Sequence, residues 1–188
     1  MTGEELDELF EFEQMEMDSS IDHLKSRLLT ISTGKANPVL VSGIVVSYYG
    51  APTPLKQVAN VTVADSRTLV IQPWEKSTIE AIERAIFEAN LGVTPQNDGE
   101  LIRLSIPPLT EERRRQLVKQ AKGLGEEAKV SIRSARQKLM DGVKKAVKDG
   151  YPEDTGKRKE DEAQKLTNAY TGKVDELFTN KEKDILTI

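Results

Sequence analysis

The chain has 188 residues, a formal net charge of −4 and no cysteine. The lack of cysteine excludes disulfides and thiolate metal sites and fits a reducing cytosol. No apolar run approaches the ~20 residues that a membrane-spanning helix needs, and the N-terminal segment is acidic where a secretory signal would be basic and then apolar. We therefore expect a cytoplasmic protein of one domain or two small ones, without membrane association.

The first 31 residues have the period of an amphipathic helix. The apolar residues of this segment form one stripe with steps of four and three from Met17 onward, namely Phe10, Met17, Ile21, Leu24, Leu28 and Ile31. This heptad spacing favours packing along a partner helix. The helix is expected to end near Thr33-Gly34, because glycine suits a helix C-terminus.

The middle of the chain is typical of a small mixed α/β unit. Runs rich in β-branched and aromatic residues, separated by turn residues, predict strands at 39–49, 59–63, 68–72 and 101–106. A short helix is predicted at 77–90, with its isoleucines facing inward. Residues 51–54 are expected to break the first strand and, like 95–99, to form an exposed loop. Tyr48 and Tyr49 are expected to point to opposite faces of that strand.

A long second helix is predicted from Thr110 to Asp149. Pro107 and Pro108 exclude helix immediately before Thr110, which is placed to cap it. Residues three or four apart form its buried stripe, namely Leu117, Ala121, Leu124, Ala128, Ile132, Ala135, Leu139, Val143 and Val147. Because glycine costs about 1 kcal/mol relative to alanine inside a helix, the helix is a candidate to bend or break near Gly123–Gly125.

The same helix carries a basic stripe on the side predicted to face away from the core. The stripe consists of Arg115, Lys119, Lys122, Lys129, Arg133, Arg136 and Lys144. Residues 110–150 hold 12 Lys and Arg against 6 Asp and Glu, whereas residues 1–31 hold 2 against 9. This asymmetry favours an anionic partner. The alternative is that the cations only solvate the outer face of a long helix.

A third helix follows Pro152, with one apolar face at Ala163, Leu166, Tyr170, Val174, Leu177 and Ile185. Because long helices are stabilised mainly by burying an apolar face, the three helices are predicted to pack as a bundle. The α/β unit is then an insertion between the first and second helices, joined by two strands of chain that form a natural hinge.

The sequence offers little catalytic chemistry. His23 is the only histidine, so a zinc site or a Cys-His pair is excluded. Gly34-Lys35 has the last residues of a phosphate-binding loop, but Leu29 stands at the earlier glycine position and Ala36 replaces the metal-binding hydroxyl. We therefore expect no enzyme, no metal and no cofactor.

Several motifs, in order, resemble the ribosome recycling factor family. They are Ser32-Thr33-Gly34-Lys35-Ala36-Asn37-Pro38, Tyr48-Tyr49-Gly50 with Pro52 and Pro54-Leu55, Asn90-Leu91-Gly92, the segment from Pro107 to Arg114, and Gln164-Lys165-Leu166-Thr167. The resemblance covers residues 20–188. The segments 72–76 and 181–184 are similar to those of bacterial members.

The resemblance implies an α+β, L-shaped molecule. An elongated antiparallel three-helix bundle, residues 1–33 and 109–188, would carry a β/α/β domain, residues 34–108. The hinge would comprise Thr33, Gly34, Pro107 and Pro108. The implied function is to bind the large ribosomal subunit after translation termination and, with elongation factor G and GTP hydrolysis, to split the ribosome into subunits. The factor itself would be a monomer that catalyses no covalent chemistry.

The resemblance also implies which residues contact ribosomal RNA. Arg133 and Arg136 match family arginines on the second helix, and Lys129 lies one turn earlier. Lys122 and Lys35 complete the predicted site. Three residues depart from the family pattern, each replacing an arginine: Gln137, Ser32 and Lys35.

Two functional hypotheses remain open from the sequence. The first is a non-enzymatic ribosome-splitting factor. The second is a helical adaptor whose basic stripe binds an acidic protein. An enzyme in the α/β unit has no residues to support it.

Overall fold

The computed structural model describes residues 1–187, and these divide into two compact units. One unit combines residues 1–31 with residues 115–188, and the other is the intervening segment 32–114. In chain order the elements are α1 (Gly3–Leu29), a 3-10 helix (Pro38–Val41), β1 (Val45–Tyr48), β2 (Ala51–Pro54), α2 (Leu55–Val58), β3 (Ala59–Asp65), β4 (Thr68–Pro73), a 3-10 helix (Lys76–Thr78), α3 (Ile79–Glu88), β5 (Pro95–Asn97), β6 (Ile102–Ser105), α4 (Glu111–Lys148) and α5 (Glu153–Leu186).

Helix α1 has well-defined ends. At its start, Thr2 and Glu5 form a capping box: the Thr2 hydroxyl accepts from the Glu5 amide at 3.2 Å, and the Glu5 carboxylate accepts from the Thr2 amide at 2.7 Å. The helix ends at Leu29, four residues before the predicted Thr33-Gly34 end. The reason is local, because both the amide and the hydroxyl of Thr30 donate to the Arg27 carbonyl and close the last turn.

The contacts between α1, α4 and α5 make a three-helix bundle and fix the direction of each helix. Arg27 on α1 pairs with Glu127 on α4, and Glu13 faces Lys138, so α1 and α4 run antiparallel. Asp7 binds Lys159 on α5, and Asp18 accepts a hydrogen bond from Tyr170, so α1 and α5 run parallel.

Helix α4 runs without interruption from Glu111 to Lys148, so of the two alternatives predicted near Gly123–Gly125, a bend or a break, the break is wrong. Leu124 and Gly125 are both buried, and a Cβ placed on Gly125 would lie 3.5 Å from Val174 on α5. Close packing against the neighbouring helix therefore outweighs the low helix propensity of glycine.

Residues 32–114 fold around a four-stranded antiparallel sheet with strand order β3-β4-β6-β5. The core of this unit includes Leu69 and Ile71 of β4, Leu104 of β6, and Ile82 and Ile86 of α3, each at most 1% exposed. Strands β1 and β2 form a separate hairpin. Together with the bundle, this arrangement confirms the predicted α+β class.

Several predicted boundaries in this unit are wrong. The predicted strand 39–49 begins only at Val45, because residues 38–41 form a 3-10 helix that Asn37 caps by accepting from the Val39 amide at 3.0 Å. Residues 51–54 do not break the strand but form its hairpin partner. Proline is tolerated there because β2 is an edge strand. The predicted loop at 95–99 contains the short strand β5.

The prediction that Tyr48 and Tyr49 point to opposite faces is also wrong. Tyr49 lies in the hairpin turn with a φ of 48°, outside the regular strand. The two rings make an edge contact with centroids 4.6 Å apart, and the two hydroxyls donate to the two carboxylate oxygens of Glu75 at 3.0 and 2.8 Å. The Glu75 carboxylate raises the pKa of Tyr48 above its usual value, chiefly through this hydrogen bond.

Candidate RNA-binding face

Helix α4 begins at the position that the prolines predict. The Thr110 hydroxyl accepts from the Arg113 amide at 3.1 Å, which satisfies one of the free donors at the helix start. The predicted apolar stripe is buried from Leu117 to Val143, but beyond it Ala146 is buried and Val147 is only half-buried. This shift is expected, because a period of 3.6 drifts relative to steps of three and four.

Arg133 and Lys122 lie on the exposed side of α4, as predicted. Neither has a hydrogen-bond or ion-pair partner among residues 1–187. Exposed cations without partners keep their full charge and all their donors for an external anion. The charges of these two residues are therefore available to an anionic partner.

Arg136 and Lys129 do not face away from the core, so that part of the prediction is wrong. Both are half-buried on the flank of α4 that packs against α5. The Arg136 Nε donates to the Gln164 Oε1 at 2.7 Å, and the Lys129 Nζ lies 2.6 Å from the Asp175 Oδ1. On a helical projection the two residues lie about 70° and 90° from the centre of the buried stripe, which places them at its border.

Two residues of α5 were not recognised from the sequence as part of this face. In the sequence, Gln164 was noted only as part of a family motif, and no sequence pattern indicated a role for Asp175. Both lie beside the apolar stripe of α5, where a polar side chain can reach across to α4. Pairing across two helices depends on their relative rotation, which periodicity alone does not provide.

Lys35 and the four predicted hinge residues are not part of this helix and occupy the two connecting segments. Lys35 is half-buried, and Gly34 has a φ of 74°, a conformation that favours glycine. Pro107 and Pro108 are exposed. Thr33, Gly34, Pro107 and Pro108 all lie inside the unit of residues 32–114, near the ends of its chain segment, and are not part of the set of cations on α4.

Other kinds of site have little support among the described residues. Residues 1–187 contain no group of three His, Asp or Glu side chains that could hold a metal ion. Within the same range, no helix combines the length and the apolar character that crossing a membrane requires. His23 is exposed on α1.

Comparisons with known proteins identify the family. The family model described as ribosome recycling factor matches residues 24–186. Relatives named ribosome-recycling factor include one from Porphyromonas gingivalis, 52% identical over 98% of this chain and 100% of its own length. Another, from Flavobacterium johnsoniae, is 47% identical over 98% and 99% of the two chains.

Solved structures agree with the sequence relatives. A solution structure of the ribosome recycling factor is similar to this chain with a TM-score of 0.81 and 35% identity, covering 98% of each chain. A second similar structure presents models for the T. thermophilus ribosome recycling factor and the E. coli elongation factor G bound to the E. coli post-termination complex. Its matching chain has a TM-score of 0.67 and 42% identity, with full coverage of both chains. This chain belongs to the ribosome recycling factor family.

Proposed function

We propose that this protein binds the large ribosomal subunit after termination and, with elongation factor G and GTP hydrolysis, splits the ribosome into subunits. The observation that carries the proposal is the family match across residues 24–186, with relatives about half identical over nearly the whole chain. The similar structure of a recycling factor with elongation factor G on the post-termination complex supports both partners. The protein acts in the cytoplasm as a monomer and catalyses no covalent step.

The basic side of α4 is the proposed RNA anchor. Arg133 is exposed and unpaired, and Arg136 keeps Nη1 and Nη2 free of partners among the described residues. A guanidinium can engage a phosphate with two parallel hydrogen bonds, whereas a lysine ammonium offers only a compact charge. Such contacts fix a protein on folded RNA without reading its sequence. Lys122, eleven residues before Arg133 and about three helical turns away on the exposed side of α4, adds further charge.

The two connecting segments are the proposed hinge. Only the chain near Thr33-Gly34 and near Pro107-Pro108 links residues 34–108 to the helical part, so reorientation requires rotation about few backbone bonds. Hinges are commonly built from a few residues at the ends of elements. We propose that elongation factor G pushes the inserted domain while the bundle stays bound to RNA, which turns GTP hydrolysis into subunit separation.

A splitting assay tests the proposal. Post-termination ribosomes are mixed with elongation factor G and GTP, and light scattering is followed with and without this protein. The proposal expects a fall in scattering that requires all three components. If the protein binds large subunits but scattering does not fall, an adaptor function is favoured instead. If it neither binds nor splits ribosomes, the proposal is wrong.

A further inference from the structure

Two cations on the same flank of α4 meet chemically different partners on α5. Lys129 and Arg136 are seven residues apart, which is about two helical turns, and both are half-buried. Lys129 meets a carboxylate, that of Asp175, at 2.6 Å. Arg136 meets a neutral amide oxygen, that of Gln164, at 2.7 Å. One cation is therefore neutralised by its partner, and the other is not.

From this difference we infer that α5 determines which cations of α4 are available to RNA: Gln164 orients Arg136 and leaves its charge intact, whereas Asp175 removes Lys129 from the binding set. This inference rests on the proposed function, because it concerns the same RNA-binding face. It assigns Gln164 a positioning role and Lys129 a structural one. The predicted RNA site on α4 then centres on Arg133 and Arg136 and no longer includes Lys129.

The orientation of Gln164 is itself fixed. Its Nε2 donates to the Asn168 Oδ1 at 2.9 Å, one turn further along α5. Because the amide nitrogen is committed to Asn168, the amide oxygen is the atom presented to Arg136. The hydrogen bonds that link Asn168, Gln164 and Arg136 thus hold the Gln164 Oε1 at a defined position, where it accepts from the guanidinium.

The consequence for Arg136 is pre-organisation. Its Nε is used by Gln164, while the four donors on Nη1 and Nη2 have no partner among residues 1–187. The donors on Nη1 and Nη2 suffice to form a two-pronged contact with a phosphate. An arginine already held in one orientation loses less conformational entropy on binding. A neutral acceptor achieves this without offsetting the positive charge.

The consequence for Lys129 is the opposite. Its side chain is 18% exposed and its ammonium is paired with Asp175, whose side chain is 65% exposed. A phosphate approaching Lys129 would meet the negative charge of that aspartate and would have to displace it. Lys129 therefore contributes to packing between α4 and α5, with little net attraction for RNA.

Two single-residue changes test the inference in opposite directions. Gln164→Glu keeps the shape of the side chain and places a carboxylate against Arg136. It should therefore weaken binding to purified large subunits about tenfold at low salt. The plot of log affinity against log salt should also become shallower by about one. Asp175→Asn frees Lys129 and should strengthen binding and make the salt dependence steeper. Gln120→Glu is the matched control, because it makes the same charge change on the exposed surface about 24 Å along α4, well beyond the screening length.

The Arg136→Ala background separates a positioning role from a general effect of charge. There, Gln164→Glu should change affinity less than twofold, because the residue through which it acts is gone. Far-UV circular dichroism and thermal unfolding establish that each variant is folded.

The possible results distinguish the inference from the proposed function. If Arg136→Ala leaves affinity unchanged, the RNA face itself is misassigned. If Arg136→Ala weakens binding while Gln164→Glu does not, or if Gln164→Glu acts equally in both backgrounds, the positioning role of Gln164 is overturned. Unchanged or weaker binding by Asp175→Asn overturns the role assigned to Asp175.

Discussion

The backbone of Gly34 lies against the side chain of Leu109, so closely that a Cβ at Gly34 would lie 3.0 Å from the Leu109 Cγ. The two connecting segments therefore pass each other at this point. Both segments are also held by the turn between β3 and β4: the Ala36 amide donates to the Ser66 carbonyl at 2.8 Å, and the Ile106 amide donates to the Arg67 carbonyl at 2.7 Å. One turn thus fixes where the chain enters and leaves residues 32–114.

This relationship predicts that Gly34→Ala is unusually costly. The substitution combines a φ of 74°, which disfavours a side chain, with a tight contact to Leu109. We expect a loss of about 2 kcal/mol in the free energy of unfolding, measured by urea denaturation. Gly99→Ala is the control, because Gly99 has a φ of 91° but an added Cβ would have nothing within 4 Å. Equal losses for the two variants would show that the Leu109 contact is unimportant.

Glycines inside the bundle should respond to alanine in opposite ways. At Gly123 an added Cβ has open space, so Gly123→Ala should stabilise the protein by about 1 kcal/mol through helix propensity. At Gly156 it would lie 2.6 Å from the Val147 Cγ2, on a stiff β-branched side chain, so Gly156→Ala should destabilise by about 1–3 kcal/mol. Thermal unfolding of the two variants measures both effects, and a stabilised Gly156→Ala would contradict the packing described here.

Periodicity predicted the bundle well because one physical requirement, burial of a continuous apolar stripe, specifies long helices. Met17 and Ile21 on α1 and Ile132 and Leu139 on α4 were all assigned to the core correctly. Residues 39–41 were misassigned to a strand because a local cap from Asn37 outweighed β-propensity. The site was predictable only in part, since the hydrogen bond between Arg136 and Gln164 depends on how two helices are rotated against each other.

Glu13 predicts a pH-dependent stability. Its side chain is buried on α1, one carboxylate oxygen has no hydrogen-bond partner, and Lys138 lies 3.9 Å from the other. Burial raises the pKa of Glu13 despite the opposing effect of Lys138, and nearby Glu16 raises it further. Between the ordinary carboxyl pKa and the raised pKa of Glu13, the folded protein binds more protons than the unfolded chain does. The free energy of unfolding therefore falls as the pH rises through this interval.

Replacing this carboxylate removes the pH-dependent penalty. We expect Glu13→Gln to stabilise the protein by about 1 kcal/mol at pH 7. The gain should disappear as the pH falls well below the ordinary carboxyl pKa, because Glu13 is then protonated in both the folded and the unfolded state. Urea denaturation across this pH range measures the difference. Glu8→Gln is the control, because Glu8 is exposed on the same helix and is not among the groups that shift the pKa of Glu13. A gain that does not depend on pH would rule out ionisation of Glu13 as its cause.

The bundle should fold and bind without the inserted unit. Residues 1–31 and 115–188 form a compact unit with a core of their own. A chain with residues 36–106 replaced by a short flexible linker should therefore remain helical by circular dichroism and compete with the intact protein for large subunits. It should fail to release subunits with elongation factor G and GTP. A folded bundle that does not compete would place the RNA anchor outside α4.

The salt dependence of large-subunit binding tests the central claim most directly. Arg133→Ala and Arg136→Ala are combined, and cosedimentation with large subunits is measured over a range of salt concentrations, with thermal unfolding to establish that the fold is retained. If these arginines hold phosphates, the double variant should bind at least tenfold more weakly at low salt, and its plot of log affinity against log salt should be shallower by about 1.5. Affinity and slope equal to those of the unmodified protein would contradict the assignment of this face to ribosomal RNA.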